Sequence, residues 1–296
     1  MNASFGIDHP LLATHDIEGL RNRLIALGFN MTAIGKHPWG TSTSLAMFDG
    51  CLLEIMGIYD ATLIDEVPAG DFRFGRHIYE YLQMREGIAL TALHSTDSQH
   101  DAAHAADAGF HVAGHLEFGR DVVLPDGTAG RTKTTLALLP DETYPRLSFF
   151  LCQQHRPELI YVPEWLEHPN GVTGICGVTV VAQRNDHAAL KFRFEGLYGE
   201  SEEITGGMAF ETANGTMRIL EPETFSATIG AFPQAIAGET APFIAGMDFT
   251  SSDTEKLRDH LKSSKTPFKE SAGIITLRNP TATANTVLRF FPQLSA

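Results

Sequence analysis

The sequence predicts an α+β protein built from four copies of one unit: a strand, a helix and three further strands. Three observations carry this reading. A helical apolar period recurs between an Asp and a Gly, strand-like runs follow it each time, and a connector rich in Pro and turn residues divides the copies two and two. The first copy opens with the strand-like run 5–13. Its helix is Ile17 to Leu27, where Ile17, Leu20, Leu24 and Leu27 share a face, Asp16 stands as N-cap and Gly28 closes the C-terminus. Strands are expected at Asn30 to Ile34, Thr41 to Phe48 and Cys51 to Ile58, the last two joined by the hairpin pair Asp49-Gly50. The second copy repeats the order, with a strand at Ile88 to Leu93, a cap at Asp97, a helix ending at Gly109-Phe110, and strands through Leu147 to Cys152. The third is Gly177 to Ala182 followed by Asp186 to Gly199. The fourth is Phe243 to Thr250, Asp253 to Lys262 and a last strand, Asn285 to Phe291. The connector runs from Arg156 to Gly171, so two halves are expected, 1–169 and 170–296.

Composition narrows the function. The 296 residues carry 22 Lys+Arg against 36 Asp+Glu, a net charge of −14, with 43% hydrophobic residues, enough for a large core. No basic run exists for a phosphate backbone, so nucleic acid is not an expected partner. The N-terminal stretch Met1 to His9 lacks the pattern of a secretory leader, and no apolar run approaches the roughly 20 residues of a membrane span. A cytoplasmic protein with no membrane partner is expected. Cys51, Cys152 and Cys176 are too scattered for a metal knuckle or a disulfide framework and read as reduced thiols.

Four such units, with His9 on a first strand and Glu54 on a fourth, resemble the vicinal oxygen chelate superfamily of glyoxalases, bleomycin-resistance proteins and extradiol dioxygenases. Within residues 5–171, Ile7-Asp8-His9, Gly28-Phe29, His37-Pro-Trp-Gly-Thr41, Leu52-Leu-Glu54 and the segments around Cys152 to His155 and His168 to Gly171 look like its glyoxalase-like subfamily. The resemblance implies that units pair into two curved mixed sheets cupped around a pocket. It also implies that first and fourth strands supply ligands to a divalent ion such as Zn, Ni, Mn or Fe.

His9 and Glu54 are the N and O donors such an ion accepts. Aligning Asp16 with Asp97 sets Leu90 opposite His9, and leucine cannot bind a metal. Gln153 and His155, which share parity on the second unit's fourth strand, are the expected completing ligands; His94, which shares parity with Leu90, is expected near the substrate. The alternative is a buried His9–Glu54 pair in a metal-free pocket. His37 reads as a proton carrier or carbonyl polariser, and Trp39 and Thr41 as substrate contacts. Arg73 and Arg76, before the helix-like Ile78 to Met84, would hold a substrate carboxylate. His100 and His104 have helical zinc spacing, but the repeat places them on the outer helix of the second unit. The third and fourth units offer Gly177 and Gly246 at the His9 position and Ile219 and Leu288 near that of Glu54, so the second half is expected to be degenerate.

The expected function is a glyoxalase-like, metal-dependent lyase or isomerase in which Glu54 and His37 act on a small vicinal-oxygen substrate. A metal-free binding protein is the alternative. A small molecule is the expected partner, with a second copy of the chain kept open.

Overall fold

The computed structural model describes residues 5–293; residues 1–4 of the stretch read for a leader lie outside it. The first half comprises β1 (Ile7–Ala13), α1 (Ile17–Ala26), β2 (Gly35–Lys36), β3 (Thr41–Phe48), β4 (Cys51–Ile58), α2 (Phe74–Met84), β5 (Gly87–Ser95), α3 (Ser98–Asp107) and β6 (Gly114–Phe118). It continues through β7 (Asp121–Val123), β8 (Ala129–Arg131), β9 (Thr134–Leu139), β10 (Phe149–Gln154) and the short α4 (Pro163–Leu166). The second half runs β11 (Val172–Val181), α5 (His187–Tyr198), β12 (Glu202–Ile204), β13 (Gly207–Glu211), β14 (Thr216–Leu220) and α6 (Pro222–Thr228). It ends with β15 (Phe243–Ser251), α7 (Thr254–Ser263), β16 (Phe268–Ser271), β17 (Ile274–Leu277) and β18 (Val287–Pro292).

Each half is built on one curled, mixed, eight-stranded sheet, in the orders β2-β3-β4-β1-β5-β10-β9-β6 and β12-β13-β14-β11-β15-β18-β17-β16, and β7 and β8 form a separate two-stranded hairpin. The two first strands of a half are antiparallel neighbours, and each pairs in parallel with its own unit's last strand. This arrangement follows from the repeat: two units related by a local two-fold axis meet along β1 and β5.

The helices begin and end where their local chemistry dictates. Asp16 accepts from the Gly19 N–H at 2.8 Å and Asp97 from the His100 N–H at 3.1 Å. Gly28 and Gly109 both lie at φ +87, the left-handed conformation that stops a helix. Helix α2 starts at Phe74, earlier than the apolar period from Ile78 suggests, and so takes in Arg76 and His77. The expected strand Asn30 to Ile34 is a correction: only Met31 makes an isolated bridge, to Ala46, and the edge strand is Gly35–Lys36.

Strand alternation sorts side chains to two sides of each sheet. Leu12, Leu53 and Ile55 of the first sheet join Val178, Val180, Ile219 and Phe290 of the second in one core, with Leu24 of α1, Ala105 of α3, Phe194 of α5 and Leu261 of α7 between them. The helical faces of both halves are therefore shared. Leu11, Met56, Leu90 and Phe150 point the other way, into the concave face of the first sheet, where Phe74 and Ile78 of α2 also pack. The connector is tied down by its polar groups. His168 accepts from the Asn30 N–H at 2.9 Å, and the fully buried Asn170 donates to the Leu27 carbonyl at 3.0 Å.

Candidate functional site

His9 of β1 and Glu54 of β4 stand on adjacent parallel strands, one of which pairs Leu11 with Glu54. Strand parity sends both side chains to the concave face, where His9 Nε2 lies 3.1 Å from Glu54 Oε2. The other ring nitrogen, Nδ1, donates to Asp8 Oδ1 at 2.5 Å, and Thr43 Oγ1 donates to Glu54 Oε1 at 2.5 Å. With Nδ1–H committed to Asp8, Nε2 would meet a carboxylate oxygen lone pair to lone pair unless a positive charge sits between them. A proton or a metal ion satisfies that need. Burial works against the charged forms of both groups. The Asp8 and Glu54 carboxylates nevertheless push the His9 imidazole up to about 10, and His9 with the Thr43 hydroxyl holds Glu54 down to about 2.

Above this pair lies a cavity of about 500 Å³. Trp39, Phe74, Phe118, Leu136 and Phe150 form its apolar walls. Its mouth is framed by Trp165 and Ile160 of the connector and by Val122 and Val123 of the β7–β8 hairpin. A charged couple at the floor of a pocket with aromatic walls is the arrangement expected of a small-molecule site.

His37 enters from the turn between β2 and β3, stacked on Trp39 with ring centroids 4.6 Å apart. Its Nε2 accepts from a guanidinium N–H of Arg120, which fixes the tautomer, so Nδ1–H donates to Thr41 Oγ1 at 2.8 Å. Burial and the Arg120 charge lower the His37 pKa to about 3. The expectation of a proton carrier is corrected: both ring nitrogens are occupied and the ring stays neutral. Thr41 touches His37 and does not line the cavity.

Sequence parity also misplaces the second unit's donors. The two-fold relation that makes Leu90 the counterpart of His9 makes Ala92 the counterpart of Leu11. Ala92 pairs with Phe150, so Phe150 is the counterpart of Glu54. Gln153 and His155 are one or more residues out of phase and face the other side. Gln153 accepts from Ser98 and donates to the Thr96 carbonyl, capping α3, while His155 meets Thr135 Oγ1 at 2.8 Å. His94 is exposed at the end of β5 and outside the cavity lining. Arg73 donates to the Gly70 and Phe72 carbonyls, and Arg76 pairs with Asp65 on the surface. Neither reaches the pocket. Asp101 is buried, accepting from Ser95, so the His100/His104 spacing lacks an accessible acid between them.

Among the pocket residues that escaped sequence reasoning, Arg120, Cys152 and Gln154 carry polar groups. A position-by-position pairing of β4 with β10 would have turned 152 and 154 inward; Arg120 sits in no motif.

Ligands about 2.1 Å from a common ion lie roughly 3.0–3.4 Å apart, so the 3.1 Å separation of His9 Nε2 and Glu54 Oε2 suits two neighbouring ligands of one divalent cation. Asp8 supplies the outer carboxylate that metal-bound imidazoles commonly use. Cys152 is a further donor beside His9, its Sγ within 4.8 Å of donor atoms of both His9 and Asp8. Burial and the Asp8 and Glu54 charges keep its thiol protonated. The residues present therefore fit an ion held by a two-residue platform, its remaining positions left to water and substrate.

Paired βαβββ units cupped around a pocket, with His and Glu on first and fourth strands, are the features by which the chain resembles the vicinal oxygen chelate superfamily. The family model described as "Glyoxalase-like domain" matches residues 7–193, and the chain belongs to that family. Among solved structures, the fold resembles a hypothetical protein from Staphylococcus aureus (TM-score 0.68, 11% identity, covering 98% of this chain and 100% of that one). It also resembles a mutant of 4-hydroxymandelate synthase from Streptomyces coelicolor (0.58, 14%, 99% and 94%). A xylose isomerase-like TIM barrel/4-hydroxyphenylpyruvate dioxygenase fusion protein matches over 49% of its length and all of this chain (0.54, 10% identity). A search of curated protein sequences finds no significant match.

Proposed function

We propose that the chain is a glyoxalase-like enzyme that acts on a small organic molecule in the first-half pocket, with His9 and Glu54 at its reacting centre. The observation that carries this reading is the buried His9–Glu54 couple at the floor of an aromatic cavity. Burying two charges is costly, and an apolar substitute of similar shape often packs as well. The couple is thus better accounted for by chemistry than by stability. His9 and Glu54 would hold a divalent ion, which when bound would supply Lewis-acid polarisation of adjacent substrate oxygens. Asp8 fixes the imidazole tautomer, Thr43 orients Glu54, and the aromatic walls exclude water from the reacting atoms. With His37 locked by Arg120 and Thr41, proton transfer falls to Glu54 or His9. A lyase or isomerase reaction is the class we favour.

A second reading has its own observation. Leu90 and Phe150 occupy the second unit's two ligand positions, and this favours a metal-free binding protein. Elemental mass spectrometry on tag-free protein after reloading separates the two. About one equivalent of a transition metal in wild type, lost in His9→Ala and Glu54→Gln, is expected. No metal in wild type after reloading would leave the binding protein.

A further inference from the structure

Arg120 follows β6 and lines the same cavity as His9 and Glu54. Its backbone is pinned: its N–H donates to Thr132 Oγ1 at 2.9 Å and its carbonyl accepts from the Thr132 N–H at 2.8 Å. Gly35 clears its path, because a Cβ there would stand 2.9 Å from Arg120 Nη1. One guanidinium N–H goes to His37. No carboxylate of the described residues lies within ion-pair distance of Arg120, although the chain carries 36 acidic residues. Most other arginines here do have such a partner, including Arg76, Arg85, Arg131, Arg146, Arg193 and Arg289. His37 spends both its nitrogens aligning this one cation, one against Arg120 and one against Thr41. Trp39, stacked on His37, keeps its indole N–H buried without an acceptor among the described residues.

We propose that Arg120 is the anchor for a carboxylate on the pocket's ligand, a molecule whose apolar or aromatic body packs against Trp39, Phe118 and Phe150, and that His37 is the positioning residue for that anchor. The inference rests on reading the first-half cavity as the functional pocket. Arg offers a planar fork of donors matched to a carboxylate, and a guanidinium out of bulk water gains most from an oxyanion that fills it. A neutral ligand would leave the half-buried guanidinium with only the Glu54 carboxylate, beyond ion-pair distance, to offset its charge, which is costly. The anchor expected of Arg73 and Arg76 is thus transferred to a residue just past β6.

Calorimetric titration of the full-length protein, with chelator present so that no metal competes for the acid, tests this with three probes: 3-phenylpropionate, 3-phenylpropionamide and phenyl phosphate. The acid should bind about tenfold or more tighter than the amide, the effect expected when a charge-assisted hydrogen bond is made. Arg120→Gln should abolish that preference and Arg120→Lys should keep part of it. His37→Leu should lower the acid-to-amide ratio, while His37→Gln, which can still accept from Arg120 and donate to Thr41, should restore it. Equal binding of acid and amide by wild type, binding of neither, or a preference unchanged in Arg120→Gln would overturn the proposal. Tighter binding of phenyl phosphate than of the acid would replace the carboxylate with a phosphate. Metal content reports on the His9–Glu54 site and not on Arg120. A chain that holds no ion yet prefers the acid keeps this inference and loses the metal reading, and the converse result loses only this one.

Discussion

Gly177 stands at the register position of His9, and the missing side chain is what allows Arg218 to reach Asp248 in the second half. Leu11 pairs with both Glu54 and Leu90, and Thr179 with both Arg218 and Gly246, so Arg218 replaces Glu54. This corrects the expectation of Ile219 by one residue, a shift that also changes the face. A Cβ on Gly177 would lie 2.8 Å from the Thr216 carbonyl and 3.1 Å from Arg218 Nη1. Gly177→Ala should therefore lower stability by about 1–3 kcal/mol, as overpacking does. Denaturant melting checks it, and a neutral substitution would show that the second-half cluster has slack.

That cluster is an ion triad where the first half has its candidate site. Asp248, 1% exposed, accepts from Arg289 through Nε at 2.7 Å and Nη2 at 2.6 Å, and from Arg218 at 2.7 Å. Removing one partner strands buried charge. Asp248→Leu should cost about 3 kcal/mol, because it leaves the Arg218 and Arg289 guanidinium groups side by side without an acid, while the Asp248→Leu/Arg218→Met/Arg289→Met variant should regain most of it because no unpaired charge is left. Equal losses in the single and triple variants would mean that packing of the arginine stems, not charge, sets the cost.

The His9–Glu54 couple gives the metal-free protein a defined pH window. Glu54 falls from 4.5 to about 2 on folding, so its contribution is present above pH 4.5 and fades as the pH drops toward 2. His9 rises from 6.5 to about 10, so its contribution is complete below pH 6.5 and fades as the pH climbs toward 10. Chelator-treated wild type should be most stabilised by the pair between about pH 4.5 and 6.5. His9→Gln/Glu54→Gln should flatten both flanks of the curve of Tm against pH. Superimposable curves would show that the two side chains are not an ion pair.

Whatever the chain states locally was legible in the sequence. Asp16, Asp97 and Asp253 each receive backbone N–H groups at a helix start, and Gly28 and Gly109 each end a helix in the left-handed region. These are short-range contacts, and they revealed the repeat and the fold. His9 and Glu54 were readable for the same reason, since both belong to one unit with a clear hairpin between β3 and β4. Long-range register was not readable. Whether Gln153 or Gln154 faces the pocket depends on how β10 pairs with β5 and β9, and a one-residue slip inverts the face. The edge strand Gly35–Lys36 was displaced for a similar cause, being fixed by its partner Thr43 and not by its own pattern. Arg120 was out of reach because its role comes from a pocket that segments distant in sequence close around it.

Asp8 offers the sharpest test of how the floor of the pocket is organised. It is fully buried, it takes His9 Nδ1 on one oxygen, and its second oxygen has no partner among the described residues. A carboxylate kept at that expense beside an imidazole sets the ring's tautomer and raises the basicity of Nε2, which then faces Glu54. Asp8→Asn preserves shape and volume but weakens that hold and permits the wrong tautomer. Equilibrium dialysis against Zn²⁺ should show affinity about 10- to 100-fold weaker than wild type, the range typical of lost outer-shell carboxylates. Far-ultraviolet circular dichroism should be unchanged. Wild-type affinity in Asp8→Asn would mean that the orientation of His9 is set by β1 and the edge of Phe150, 5.5 Å from its ring, and not by Asp8.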